Sequence, residues 1–133
     1  MQIDKLYRCR DLRLRVKSLD DKLEVLHAAA ERCTGRITGL PRGNGWVDPL
    51  PRYADKAAAL GDEYAREALE LLRLVLEVSR YLGRLPYTYE RVMRLRYLDG
   101  LQYWSDVAKE AHLSEDRCRA INVASIRLLE KME

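Results

Sequence analysis

Apolar residues recur every three or four positions through the first part of the chain, with charged residues between them. This spacing is the a/d heptad pattern, which places apolar side chains along one face of a long helix. Because one long helix cannot bury such a seam against itself, we expect a second helix or a second copy of the chain to cover it. The predicted oligomer seam consists of Leu12, Val16, Leu19, Leu23 and Leu26.

A second apolar pattern of the same period runs from residue 57 to residue 82. Residues 34–51 separate the two patterns and hold four of the seven glycines and three of the four prolines, so they predict one long loop. Two amphipathic helices joined by a loop are typical of an antiparallel hairpin. Residues 1–85 are therefore predicted to form a coiled-coil-like helical hairpin that also makes the oligomer.

The rest of the chain, residues 86–133, contains three shorter helical patterns. Thr88 is the predicted cap of the first helix, and Asp99-Gly100 ends it. The second helix is predicted over residues 104–111, and Ser114 is a strong cap signal for the third. A short helix, a tight turn and a further helix make helix-turn-helix geometry. The predicted fold is all-α, with the long hairpin followed by a C-terminal three-helix helix-turn-helix domain.

This geometry holds the first turns of the last helix where they can enter the major groove of double-stranded DNA. An arginine there can donate two hydrogen bonds to guanine, and a carboxylate can accept a hydrogen bond from cytosine. Other arginines would contact phosphates, which fix the register of binding. The alternative is a helical packing module whose arginines are merely solvated. The candidate DNA-binding residues are Ser114, Glu115, Asp116, Arg117, Arg119, Ala120, Arg94, Arg96 and Lys109.

A resemblance to a known family rests on three motifs in this region. The segments L-R-Y-L-D-G, W-S-D-V-A-K-E-A-H-L-S-E-D-R-C-R-A-I and S-I-R-L-L resemble region 4 of the primary-type bacterial sigma factors. Arg117 and Arg119 fall on the two arginines of that family's recognition helix, and Asp116 falls on its acidic residue. The resemblance implies promoter-type DNA recognition by Glu115, Asp116, Arg119 and Ala120. Ala120 stands where the family has a base-reading amide, so the bases that are read differ or are fewer.

The remainder of the chain does not resemble a complete sigma factor. The helical N-terminal half, the T-G-L-P-R-G loop and the C-terminal module are together similar to small phage and prophage regulators of Gram-positive hosts, of the ArpU and RinA type. That resemblance implies a phage-type transcription regulator that binds DNA. Two other interpretations stay open: a small terminase-like DNA-packaging subunit, and a module that docks on RNA polymerase without contacting DNA.

Charge limits how such a protein can bind DNA. The 24 basic and 21 acidic residues give a net charge of +3, and residues 86–133 carry eight of each sign. Because phosphate neutralisation supplies most non-specific affinity, we expect that affinity to be weak. Binding then needs two copies or help from RNA polymerase, so the predicted partners are double-stranded DNA, a homodimer or higher homo-oligomer, and RNA polymerase. The densest basic run, between residues 5 and 17, is a further candidate for phosphate contact or a solvated helix face.

Other classes of function find no support in the sequence. The three cysteines form no C-x-x-C pair, only two histidines are present, and no catalytic constellation or phosphate-binding loop is visible. We therefore expect no enzyme activity, no cofactor and no metal. No stretch has the length and apolarity of a membrane span, so a cytoplasmic location is expected. The DNA target, the direction of regulation and the oligomer number stay open, as does any contact that the 34–51 loop makes with DNA or a partner.

Overall fold

The computed structural model describes residues 1–37 and 50–133, and all regular structure in those ranges is helical. This confirms the all-α prediction. Within those ranges, no helix has both the length and the apolar character needed to cross a membrane. The elements are α1 (Asp4–Ile37), α2 (Leu50–Leu82), α3 (Tyr87–Met93), a π-helical segment (Arg94–Leu98), α4 (Trp104–Ala111) and α5 (Glu115–Glu130).

Helical residues occupy both ends of the stretch 34–51, which the sequence predicts as a loop. Helix α1 continues through Gly35 to Ile37, and α2 already begins at Leu50. A single glycine inside a helix costs only about 1 kcal/mol, which the rest of a long helix can offset. Pro51 lies in the first turn of α2, where a proline nitrogen leaves no intrahelical hydrogen bond unmade. The rest of the predicted loop, residues 38–49, lies outside the described residues.

The chain divides into two compact units, residues 1–15 with 68–133, and residues 16–67. In the larger unit, the start of α1 and the end of α2 share one hydrophobic core with α3, the π-helical segment and α5. The boundary predicted after residue 85 stays a prediction, although this core joins residues from both sides of it. The buried members are Leu6, Cys9, Val78, Leu82, Leu85, Met93, Tyr97, Leu98 and Leu129.

The predicted oligomer seam of α1 is partly used within the chain itself. Leu12 is buried in the larger unit, and Leu19 is buried in the smaller one. Val16, Leu23 and Leu26 are half-buried. Of the described residues between 16 and 67, Leu19 is the only buried hydrophobic residue. The role of this seam in self-association stays a prediction.

Helix α3 begins one residue before the predicted cap. Pro86 occupies the N-cap position, with φ −54° and ψ 146°, and its carbonyl accepts from the Glu90 N–H at 2.8 Å. Thr88 was therefore the wrong cap, because it lies inside the first turn. Proline fixes φ near the helical value and lacks the N–H that a helix start leaves unpaired, so Pro86 sets the start without a capping side chain.

A π-helical segment and a left-handed glycine end this part of the chain. The Asp99 N–H donates to the Arg94 carbonyl at 2.9 Å, which is the wider π-type spacing. Gly100 follows with φ 77°, so Asp99-Gly100 ends the helix as predicted. A Cβ at Gly100 would lie 2.8 Å from the Arg13 Cγ, so both the backbone conformation and the neighbouring side chain require glycine here.

Candidate nucleic-acid interface

A tight turn joins α4 to α5. His112 at the end of α4 adopts the left-handed conformation, with φ 58° and ψ 41°, and the Leu113 N–H donates to the Ala108 carbonyl at 3.0 Å. The Ser114 hydroxyl then accepts from the Arg117 N–H at 3.1 Å, which satisfies one free donor at the start of α5. Both limits of α4 and the cap at Ser114 are as the sequence predicted.

A compact hydrophobic cluster lies beneath this turn. Its buried members come from α3, α4 and α5, so packing against α3 and α4 fixes the direction of the first turns of α5. Burial also raises the pKa of the Cys118 thiol, with the nearby Glu115 carboxylate adding to the shift, so this cysteine is a neutral packing residue at neutral pH. The buried residues are Val92, Val107, Ala108, Cys118 and Ile121.

The predicted base-reading residues lie on the opposite side of α5 from this cluster. Glu115, Asp116, Arg119 and Ala120 are all exposed. The Arg119 guanidinium donates from Nη2 to Glu115 Oε2 and from Nη1 to Asp116 Oδ1, each at 3.3 Å. The structure thus brings three of the four side chains together into one exposed cluster, with the arginine held by two carboxylates of the preceding turn.

The two carboxylates also suit the start of the helix. Glu115 and Asp116 occupy the first turn of α5, where the helix dipole favours negative charge. Their charge places an acidic edge beside Arg119. The two hydrogen bonds to these carboxylates hold the Arg119 guanidinium on the exposed side of α5.

The candidate phosphate-binding residues fall into two groups. Lys109 on α4 and Arg117 on α5 are exposed. Arg94, in contrast, donates from Nε to Glu90 Oε1 at 2.8 Å and from Nη1 to Ser79 Oγ at 2.9 Å. Its guanidinium links α2 to α3, so Arg94 has a structural role in addition to any contact with DNA.

Arg96 is held more tightly still. Its Nη1 donates to the carbonyls of Leu101, at 3.1 Å, and Gln102, and its Cζ lies 4.5 Å from the Trp104 ring centroid. Burial lowers the Arg96 pKa, and the nearby positive charge of Arg10 lowers it further. These contacts fix the segment that leads into α4.

Sequence reasoning missed the residues of α1 that support this module. The Arg13 Nε donates to the Leu98 carbonyl at 2.9 Å, at the end of the π-helical segment. Tyr7 packs edge-on against Tyr97, with ring centroids 5.8 Å apart. No local signal indicates these contacts, because the partners lie far apart in sequence.

Tyr97 links this region to the last helix. Its hydroxyl donates to the Asn122 Oδ1 at 2.7 Å, which ties the π-helical segment to the middle of α5. Burial raises the pKa of Tyr97 to about 12, so the phenol stays protonated and keeps this hydrogen bond at neutral pH.

The groups exposed at the start of α5 are polar and charged. Across the parts of the chain that the structure covers, no group of three or more His, Cys, Asp or Glu side chains could hold a metal ion. Comparison of the chain with known protein families, curated proteins and solved structures finds no significant match.

Proposed function

We propose that this chain is a sequence-specific DNA-binding transcription regulator of the phage type, with a recognition module similar to region 4 of sigma factors. The observation that carries this proposal is the Ser114-capped start of α5. There Glu115, Asp116 and Arg119 form an exposed polar cluster, while Cys118 on the same helix is buried. A helix that is anchored on one side and polar at its N-terminal end on the other suits insertion into a major groove.

Arg119 is the proposed base-reading residue. A guanidinium can form two hydrogen bonds with guanine O6 and N7. To do so, Arg119 must leave Glu115 and Asp116. Both pairs are exposed, with the Arg119 side chain 52% accessible, so solvent screens them and their release costs little. The freed carboxylates can then accept from the amino group of a neighbouring cytosine.

Phosphate contacts are assigned first to Lys109 and Arg117, which are exposed on the two helices of the turn. Arg94 and Arg96 keep their intramolecular hydrogen bonds and contribute positive charge at a greater distance from the DNA. Because residues 86–133 carry as many acidic as basic residues, the proposed complex depends on base recognition and on more than one copy. A cytoplasmic location is part of the proposal, since DNA binding in a bacterial host requires it.

We also propose that α1 and α2 pair as an antiparallel hairpin. Two ion pairs support this proposal, Lys5 with Glu77 and Arg8 with Glu70. The residue numbers increase along α1 while those of their partners decrease along α2, as in an antiparallel pair. These two ion pairs join the start of α1 to the same end of α2 that leads into α3. The hairpin therefore supports the DNA-binding module directly as well as the proposed oligomer.

The test is a mobility-shift titration of the full chain on a DNA site obtained from a regulated promoter or by selection. Arg119→Ala should weaken specific binding by ~1–3 kcal/mol, as expected for one good base contact. Lys131→Ala is the matched control, because it also removes one exposed positive charge, just after α5 ends. Equal losses for the two variants would show that only charge matters, and would contradict recognition by Arg119.

Two results would favour the other interpretations. A complex with RNA polymerase and no DNA shift at low salt would support a docking module. A ring of many subunits in solution would support DNA packaging, since a regulator of this size needs only a dimer to present two recognition helices.

A further inference from the structure

Helix α2 carries an exposed leucine stripe that the larger unit leaves uncovered. Leu69, Leu72 and Leu76 are 50%, 54% and 61% exposed. Their spacing of three and four residues places them on one side of the helix, whereas Leu71 and Val78 on the other side are buried. Neighbouring exposed leucines of this kind mark an interaction surface more often than a solvated face.

The residues beside the stripe determine what can cover it. In heptad terms, Leu69 and Leu76 take position a and Leu72 takes position d. Position e on one flank then holds Arg73 and Arg80, and both are exposed. Position g on the other flank holds Ala68 and Val75, which are half-buried. One flank is therefore basic, and the other is small and apolar.

We propose that Leu69, Leu72 and Leu76 form the interface with a second copy of this chain, with the two α2 helices parallel. In a parallel pair, each e residue faces a g residue of the other helix. The alkyl stem of Arg73 then covers Ala68 of the second copy, and the stem of Arg80 covers Val75, while both guanidinium groups stay in water. The two flanks thus complement one another, and no acidic partner is needed.

The antiparallel alternative is disfavoured by charge. There, e residues face e residues, so the Arg73 and Arg80 side chains of both copies would meet along one edge. The parallel arrangement avoids this repulsion and buries the same three leucines. It is also isologous, since each residue of the stripe meets its own counterpart across a two-fold axis.

The parallel order also fixes where the DNA-binding modules leave the dimer. The C-terminal ends of both α2 helices lie side by side, so α3, α4 and α5 of both copies follow from the same end. This consequence rests on the proposed function, whereas the pairing itself does not. If both proposals hold, two recognition helices are offered to one side of a duplex, as binding to paired half-sites requires.

Sedimentation equilibrium of the full chain without DNA tests the pairing. For the wild type we expect the average mass to rise with concentration toward the mass of a dimer. For Leu72→Lys we expect a dimer dissociation constant at least ~10-fold higher, since a charge would be buried in the seam. Leu128→Lys is the matched control, because Leu128 is an exposed leucine on α5, outside the stripe. A wild type that is monomeric throughout, or a Leu72→Lys variant that associates as well as the wild type, would overturn the proposal.

Disulfide crosslinking tests the parallel orientation. Leu69→Cys, Leu72→Cys and Leu76→Cys are made one at a time in a Cys33→Ser background, since Cys9 and Cys118 are already buried. A parallel pair crosslinks at all three positions, because each residue meets its counterpart. An antiparallel pair crosslinks only at the position beside its two-fold axis, and that result would overturn the orientation. Both measurements are made without DNA. A chain that does not dimerise but still binds DNA in the mobility-shift titration would therefore refute the proposed interface and leave the proposed function standing.

Discussion

Two residues of the larger unit adopt the left-handed backbone conformation, and they differ in how well they suit it. Gly100 has φ 77° and accepts it without strain. His112 has φ 58°, where a Cβ costs roughly 1–2 kcal/mol. The cost at His112 is borne at the turn before α5, next to the exposed cluster of Glu115, Asp116 and Arg119.

These two positions should respond oppositely to substitution. His112→Gly should raise the free energy of unfolding by ~0.5–1 kcal/mol, because the relief of strain exceeds the extra entropy of glycine in the unfolded chain. Gly100→Ala should lower it by at least ~1 kcal/mol, since the new Cβ also meets the Arg13 side chain. Urea unfolding of both variants gives the two values. A destabilised His112→Gly protein would mean that the imidazole makes a contact worth more than the strain.

Ser125 is a second residue whose environment predicts a stabilising change. It is completely buried on α5, and its hydroxyl has no hydrogen-bond partner among the described residues. Ser125→Ala removes an unpaired buried polar group and substitutes a better helix former, so the free energy of unfolding should rise by up to ~1 kcal/mol. Thermal unfolding measures the change. A loss of stability above that size would show that the hydroxyl is hydrogen-bonded in solution.

At the scale of the element, the helix ends that are set by neighbouring residues agree with the prediction from sequence. The limits of α4, the cap at Ser114 and the end at Asp99-Gly100 are each set by residues next to them in sequence. Thr88 was misassigned because two helix-start signals, a proline and a threonine, stand two residues apart. No sequence signal indicates the π-helical segment, whose Tyr97 and Leu98 pack into the core.

The start of α5 gives a prediction at this scale. Ser114→Ala removes the side-chain acceptor of the Arg117 N–H and should lower the free energy of unfolding by about 1 kcal/mol. Ser105→Ala is the control, because Ser105 is exposed in the first turn of α4 and should change stability by less than ~0.5 kcal/mol. Chemical denaturation compares them. Equal effects would mean that the Ser114 cap does not contribute to the start of α5.

At the scale of the whole molecule, contacts between distant parts of the chain escaped prediction. Arg13 donates to the Leu98 carbonyl, and the Met1 amino group donates to the Leu129 carbonyl at 3.2 Å. The heptad pattern placed α1 in a hairpin but could not indicate that its first turns also pack on the C-terminal helices. The charge pattern also gave no indication of these contacts, because the 24 basic and 21 acidic residues are mixed along the whole chain.

This charge distribution predicts a shallow salt dependence of DNA binding. If Lys109 and Arg117 make the proposed phosphate contacts and Arg94 and Arg96 contribute less, log K against log salt should have a slope of about −2 to −4 per copy. Lys109→Ala should reduce the slope by about 1, while Lys131→Ala should leave it unchanged. Titrations at several salt concentrations measure these slopes. A slope steeper than about −8 per copy would mean that bulk attraction dominates.

The first turns of α5 are proposed to read DNA sequence. This proposal is tested most directly by selecting binding sites from a random DNA pool with the wild-type chain and with Arg119→Ala in parallel. We expect the wild type to enrich a defined motif and Arg119→Ala to lose the preference at one or two positions of it, because one base contact is gone. Enrichment of the same motif by both proteins, or of no motif by the wild type, would contradict it.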